Sequence, residues 1–199
     1  MLKIIAVVIL ILFYGCYFSK MIVQKRKGIQ TDQIGKGKTG FVKFVELTMK
    51  VVTIAVPIIE VLSIFVLPSL SPNYMQYAGV AIGILGVLIF ICSVVTMKDS
   101  WRAGVPETDK TELVTNGIYR FSRNPAFLGF DLVYLGILLM YFNWLLFAAS
   151  VLAMLMFHLQ IVNVEEDFLL LAFGDEYLNY KKEVNRYIGR RRKKDGENK

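Results

Sequence analysis

Apolar positions fall into five long runs separated by polar stretches: Ile4 to Phe18, Phe44 to Leu67, Tyr74 to Met97, Ala126 to Phe142 and Trp144 to Val162. At ~1.5 Å of rise per residue such runs match a hydrocarbon layer ~30 Å thick. The pattern predicts an all-α integral membrane protein with about five transmembrane helices. Only Asn143 separates the last two runs, so they form a tight C-terminal helical hairpin.

Polar residues inside the runs refine this picture. Pro57 and Glu60 interrupt the second span, and a carboxylate at depth faces the protein interior because lipid exposure is costly. Glu60 is therefore either a substrate or proton site or the acceptor of a hydrogen bond from a neighbouring helix. In the third span Gly79 and Gly83 make a small-xxx-small pair, the signature of close packing against another helix. Asp131 falls six residues after Pro125 in the fourth span. After Val162 a helical pattern continues through Glu165, Glu166 and Asp167 to Phe173. Gly174 then reads as a stop, and Asp175 as the cap of a short amphipathic helix through Tyr187.

The polar stretches are basic. Lys20 to Lys43 holds seven lysines and arginines among glycines and reads as a flexible loop, and the tail from Arg190 to Lys194 is drawn to anionic headgroups. With the amino terminus outside and the carboxyl terminus cytoplasmic, 21 of the 23 lysines and arginines fall on the inner side. The lysines after the first run, without a small-residue cleavage pattern, favour an uncleaved first helix over a signal peptide. A single membrane domain over 1–199 is expected: three N-terminal spans and the basic loop over 1–97, a core over 98–188 and a basic tail over 189–199.

Composition adds mainly exclusions. The chain is 55% hydrophobic with a net charge of +7, and its mean hydropathy is +0.51. In such a chain a basic excess marks loops beside anionic lipid, so no nucleic-acid partner is expected. Cys16 and Cys92 lie in different apolar runs as small hydrophobes, and with His158 the only histidine no metal site is expected. Small size and short loops point to a prokaryotic plasma membrane. Oligomeric state is not legible.

Candidate chemistry lies in Gly117 to Phe127. Pro125 suits the first turn of a helix and Asn124 its cap, so free N–H groups would face the cytosolic surface as a site for a carboxylate or phosphate. Arg120 and Arg123 add positive charge. Across the hairpin, Glu165 and Glu166 supply negative charge at the same level. A zwitterionic amino-acid moiety fits two such poles, and S-adenosylmethionine carries one. Spacing alone favours a plainer reading, arginines on lipid headgroups and glutamates on a solvated helix end.

The order of motifs is more specific. Gly117-Ile-Tyr119, Arg123-Asn124-Pro125, the apolar hairpin, Glu165-Glu166 and Phe173-Gly174-Asp-Glu-Tyr177-Leu-Asn-Tyr180 together resemble the isoprenylcysteine carboxyl methyltransferase and phospholipid methyltransferase superfamily. The resemblance covers roughly Trp101 to Tyr187. It implies a cytosolic pocket in which S-adenosylmethionine is held by Thr111, Glu112, Leu113 and Val114, by Tyr119, by Asn124, Pro125, Ala126 and Phe127, and by Glu165. Arg123 would lie closest to the reacting groups, and a lipid-like or prenylated substrate would arrive from the bilayer. Asp131 is a candidate substrate contact. Asn124 stands where the family usually has histidine, and Ile161 where the prenylcysteine enzymes tend to carry a substrate-binding arginine. Both departures leave open whether the methyl acceptor is a prenylcysteine-type carboxylate or a lipid amine. Two other functions fit parts of the pattern: a sterol-reductase-like enzyme binding NADPH at a similar hairpin, and a non-enzymatic scaffold or transporter using Glu60 and Asp131.

Overall fold

A computed structural model describes residues 1–29, 31–35, 38–102 and 112–190. Six α-helices follow in order: α1 Leu2–Arg26, α2 Gly40–Phe65, α3 Asn73–Met97, α4 Pro125–Met140, α5 Trp144–Gln160 and α6 Glu166–Glu183. Two 3₁₀ turns, Lys98–Ser100 and Gly117–Arg120, lead from α3 to α4, and a π-helical turn, Ile161–Glu165, joins α5 to α6. No strand occurs among the described residues, and an isolated bridge joins Val184 and Arg190.

The helices α1, α2, α3 and the continuous stretch beginning at α5 are each long and apolar enough to cross a membrane. That last stretch has 40 residues, ~60 Å of helix and twice a bilayer, so only its apolar α5 half spans. α4 has 16 residues, ~24 Å, shorter than the hydrocarbon layer. It lies in close contact with α3. A methyl group added at Gly79 would come within 2.5 Å of the Gly136 oxygen, and one at Gly136 within 2.6 Å of the Gly83 nitrogen. The small-residue pattern of α3 thus faces a matching one on α4, and the two backbones touch. Dispersion contacts along such a seam substitute for the hydrophobic drive that lipid removes.

Two apolar clusters flank the seam. One joins α1, α3 and α4 through Phe13, Phe90 and Trp101, with Phe130 packed edge-on against Phe13 and Phe90. The other joins α2 and α5 through Val52, Val56, Ala153 and Phe157, with Tyr134 of α4 stacked on Phe157. Glu60 is sealed between them at 0% exposure and accepts the Tyr14 hydroxyl at 3.1 Å. Of its two expected roles, the interhelical hydrogen bond is the one present.

The predicted boundaries shift where side chains find partners. α1 runs eight residues past Phe18 into the expected flexible loop, because Gln24 is buried and bridges the Trp101 carbonyl (2.8 Å) and the Thr31 hydroxyl (2.8 Å). Lys27 adds an ion pair with Asp99 at 2.8 Å. Asn143 makes the hairpin turn by accepting the Leu146 N–H at 2.9 Å, a true N-cap.

Candidate active site

Three pieces of chain meet at the α4 N-terminus. The first is the segment from Gly117 to Asn124, opened by a left-handed Gly117 (φ +55°) whose missing side chain leaves room for Thr96. The second is α6, which does not stop at Gly174 as the sequence suggests. Gly174 takes φ +50° and ψ −123° inside it, a conformation nearly exclusive to glycine, and the helix folds back. The reversal is visible in a contact: Lys181 reaches Glu166 at 2.8 Å, whereas fifteen residues of straight helix would hold them ~22 Å apart. The third is a strap after α6, where the Asn185 carbonyl accepts the Arg123 N–H (3.1 Å) and the Gly189 N–H reaches the Phe121 carbonyl (2.7 Å).

The centre of this assembly is Arg123, 8% exposed. Its guanidinium donates to the Tyr177 hydroxyl (2.6 Å) and the Val184 carbonyl (3.1 Å) and pairs with Glu166 at 3.1 Å. Glu166 also takes Arg186 at 2.6 Å and Lys181 at 2.8 Å. Burial alone would raise the Glu166 carboxyl, but the bonds from Arg186 and Lys181 and the charge of Arg123 prevail and hold it at about 2. Arg123, expected nearest the reacting groups, thus has every nitrogen engaged in holding α6 and the strap to the α4 N-terminus.

Glu165 is the opposite case. The π-turn sets it on a different side of the helix from Glu166, and it lines a pocket. Among the described residues its carboxylate makes no hydrogen bond and no ion pair. Tyr119 lines the same pocket at 5% exposure. Burial first, then the Glu165 carboxylate, push its phenol far up. Tyr119 is held by its backbone, since the Tyr180 hydroxyl donates to its carbonyl at 2.6 Å.

The pocket gathers most of the expected set. Glu112, Leu113, Val114, Tyr119, Asn124, Ala126, Phe127 and Glu165 all line it, with Arg123. Pro125 is buried in the first turn of α4 behind them. Thr111 lies outside the described residues. Asp131 is not on the pocket wall. Asn124 occupies the N-cap position of α4, but its side chain does not cap; Nδ2 donates to the Arg186 carbonyl at 3.1 Å, fastening the strap instead.

Sequence reasoning missed one wall. Trp101 closes the pocket from the α3 side, and Phe168, Leu169 and Phe173 close it from α6. The α6 residues carried a legible signal, since an apolar run between charged residues beyond a span needs something to cover. The position of Trp101 depends on Gln24, 77 residues away, and no local pattern announces that.

The fold and site together define a helical membrane protein with a pocket at one end of a helical hairpin, one wall bearing an unpaired carboxylate. Residues 74–176 match the phospholipid methyltransferase family, which is 103 of the 199 residues. The chain belongs to that family. It is also similar to a probable protein-S-isoprenylcysteine O-methyltransferase of Oryza sativa subsp. indica, 32% identical over 114 residues, which is 56% of this chain and 60% of that protein. The protein-S-isoprenylcysteine O-methyltransferase of Tribolium castaneum is 27% identical over 114 residues, 56% of this chain and 41% of its own. That of Schizosaccharomyces pombe is 36% identical over 72 residues, 36% of this chain and 30% of its own. The chain therefore matches about 60% or less of the length of these relatives.

Proposed function

We propose that the protein is an S-adenosylmethionine-dependent methyltransferase acting on a membrane-embedded or lipid-like acceptor. The observation that carries this reading is Glu165, a carboxylate left without a partner on the wall of a pocket whose floor is the N-terminus of α4. A carboxylate and a helix N-terminus facing one cavity suit the ammonium and carboxylate of an amino-acid moiety. Family membership makes methyl transfer the chemistry to expect there.

Glu165 would hold the ammonium, and the first N–H groups of α4 at Ala126 and Phe127 would hold the carboxylate. Tyr119, Leu113, Val114 and Glu112 would enclose the remainder. The bound cofactor supplies an electrophilic methyl group on a sulfonium. Phe127, Phe168 and Phe173 would exclude water, and the protein's contribution is then positioning and desolvation of the acceptor. Arg123 would act by fixing this geometry through Glu166 and Tyr177. The distribution of lysines and arginines supports an amino terminus outside and a cytoplasmic pocket and carboxyl terminus.

The test is thermal unfolding of the purified protein in detergent. S-adenosylhomocysteine raises the Tm and NADPH does not, and labelled methyl moves from S-adenosylmethionine into a lipid extract. A Tm raised by NADPH and not by S-adenosylhomocysteine would overturn the reading in favour of a reductase.

A further inference from the structure

Asp131 lies in α4 four residues, ~6 Å of rise, beyond the pocket-lining Phe127 toward the membrane interior. Its Oδ1 is fully buried and has no hydrogen-bond partner among the described residues. A carboxylate oxygen removed from water without a donor loses several kcal/mol of hydration. Such an atom needs either a structural partner, which it lacks, or one that arrives. Glu60, the other carboxyl inside the bundle with an unpartnered oxygen, is at 0% exposure and accepts the Tyr14 hydroxyl. Asp131 is only half-buried, so a ligand has a route to it.

The strap crosses the same end of α4. Tyr187 shares a 2.7 Å hydrogen bond with His158 Nδ1 of α5, their rings stacked 21° from parallel. The same strap is fastened by backbone bonds to Phe121 and Arg123, just ahead of α4. It therefore bridges the open end of the α4–α5 hairpin. Burial and, after it, the Asp131 carboxylate push the Tyr187 phenol up, while Arg186 opposes them. Asp131, four residues after Phe127, shares the side of α4 that carries this pocket-lining ring. No salt bridge joins it to a cation among the described residues, and Arg123 on the pocket wall is committed to Glu166, Tyr177 and Val184.

We infer that Asp131 selects the methyl acceptor, favouring a lipid-like amphiphile with an amine head over one with a carboxylate head. The inference rests on the methyl-transfer reading and extends it to the acceptor. A protonated amine gives the unpartnered oxygen a donor and an opposite charge, whereas a carboxylate head meets like charge at Asp131. The chemistry balances. The ammonium gives one proton to Asp131, and the freed nitrogen lone pair forms the N–CH₃ bond as the sulfonium C–S bond breaks, its electron pair staying on sulfur. S-adenosylhomocysteine and the methylated ammonium leave, and Asp131 returns its proton to water. Here the chain parts from the relatives named above, whose names specify O-methylation.

The experiment compares two probes in mixed micelles, phosphatidylethanolamine and N-acetyl-S-farnesylcysteine, with labelled S-adenosylmethionine and the full-length protein. The wild type shows at least a tenfold higher kcat/KM for the amine. Asp131→Asn lowers that ratio at least tenfold, Asp131→Glu restores part of it, and S-adenosylhomocysteine raises the Tm of all three proteins equally. A preference for the carboxylate probe in the wild type, or an amine-to-carboxylate ratio unchanged in Asp131→Asn, overturns the inference and leaves methyl transfer standing. Failure of S-adenosylhomocysteine to bind any of the three, with no label in either probe, overturns both.

Discussion

Glu165 and Glu166 are adjacent in the chain and alike in chemistry, yet the fold treats them as opposites. Glu166 is 6% exposed and takes Arg123, Arg186 and Lys181. Glu165 has no polar partner among the described residues and faces a cavity. On a helix, neighbouring side chains point ~100° apart, and the π-turn ending at Glu165 decides which points where. A saturated carboxylate is a structural element, and its energy goes into holding α6 and the strap. An unsaturated one lining a pocket is poised for a ligand. The pair teaches that a motif of two acidic residues can divide its labour, one building the site and the other serving it.

The sharpest way to break this division is Glu166→Gln. Removing one member of a buried ion-pair cluster leaves Arg123 uncompensated, at a cost of about 3–5 kcal/mol. A clear drop in Tm is expected even without ligand, and Arg123→Met added to Glu166→Gln recovers part of it. A Tm equal to that of the wild type would remove Glu166 from its structural role.

Glu165→Gln should do the reverse. It leaves the ligand-free Tm near that of the wild type, because no protein group loses a partner. It weakens S-adenosylhomocysteine by about 1.5–3 kcal/mol, the range for a hydrogen bond to a charged group, or on the order of 10–100-fold in Kd. Isothermal titration in detergent measures this, and unchanged affinity would place the ammonium elsewhere.

Acid sharpens the contrast. The Glu166 carboxyl is held at about 2 in the folded protein, below the ~4.3 of an unfolded chain. Its contribution is complete above the unfolded value and is lost as pH falls from about 4.3 through about 2. The wild type should lose stability across that window relative to Glu166→Gln, so the two Tm curves converge toward low pH. Parallel curves would show that the ion pairs contribute nothing.

The smallest effect is expected at the rim of the cluster. The Lys181 side chain is 42% exposed, so Lys181→Ala should cost less than ~1 kcal/mol and fade with added salt. A loss as large as that of Glu166→Gln would mean that the fold-back at Gly174, which brings Lys181 to Glu166, depends on this one contact.

Much of the architecture was fixed by composition and period alone. Runs of apolar residues admit only helices in lipid, since every backbone N–H and C=O must be bonded within its own segment. The spans, the hairpin at Asn143 and the glycine seam were therefore readable as sequence, while most of the residues that line the pocket came from the family resemblance. Gly117-x-Tyr119, Arg123-x-Pro125 and the two glutamates fall in local segments whose helical or turn character the chain itself dictates.

What the sequence could not decide were contacts that need two distant segments. The family resemblance put Arg123 closest to the reacting groups, and in the structure its guanidinium is engaged by Glu166, Tyr177 and Val184. Asn124 looked like a cap, but the Arg186 carbonyl claims its side chain. Gly174 looked like an end, and its positive φ makes it a reversal that returns Lys181 to Glu166. The division between Glu165 and Glu166 is of the same kind. Residue type sets what a side chain is able to bind, while the return path of the chain sets which partner reaches it first.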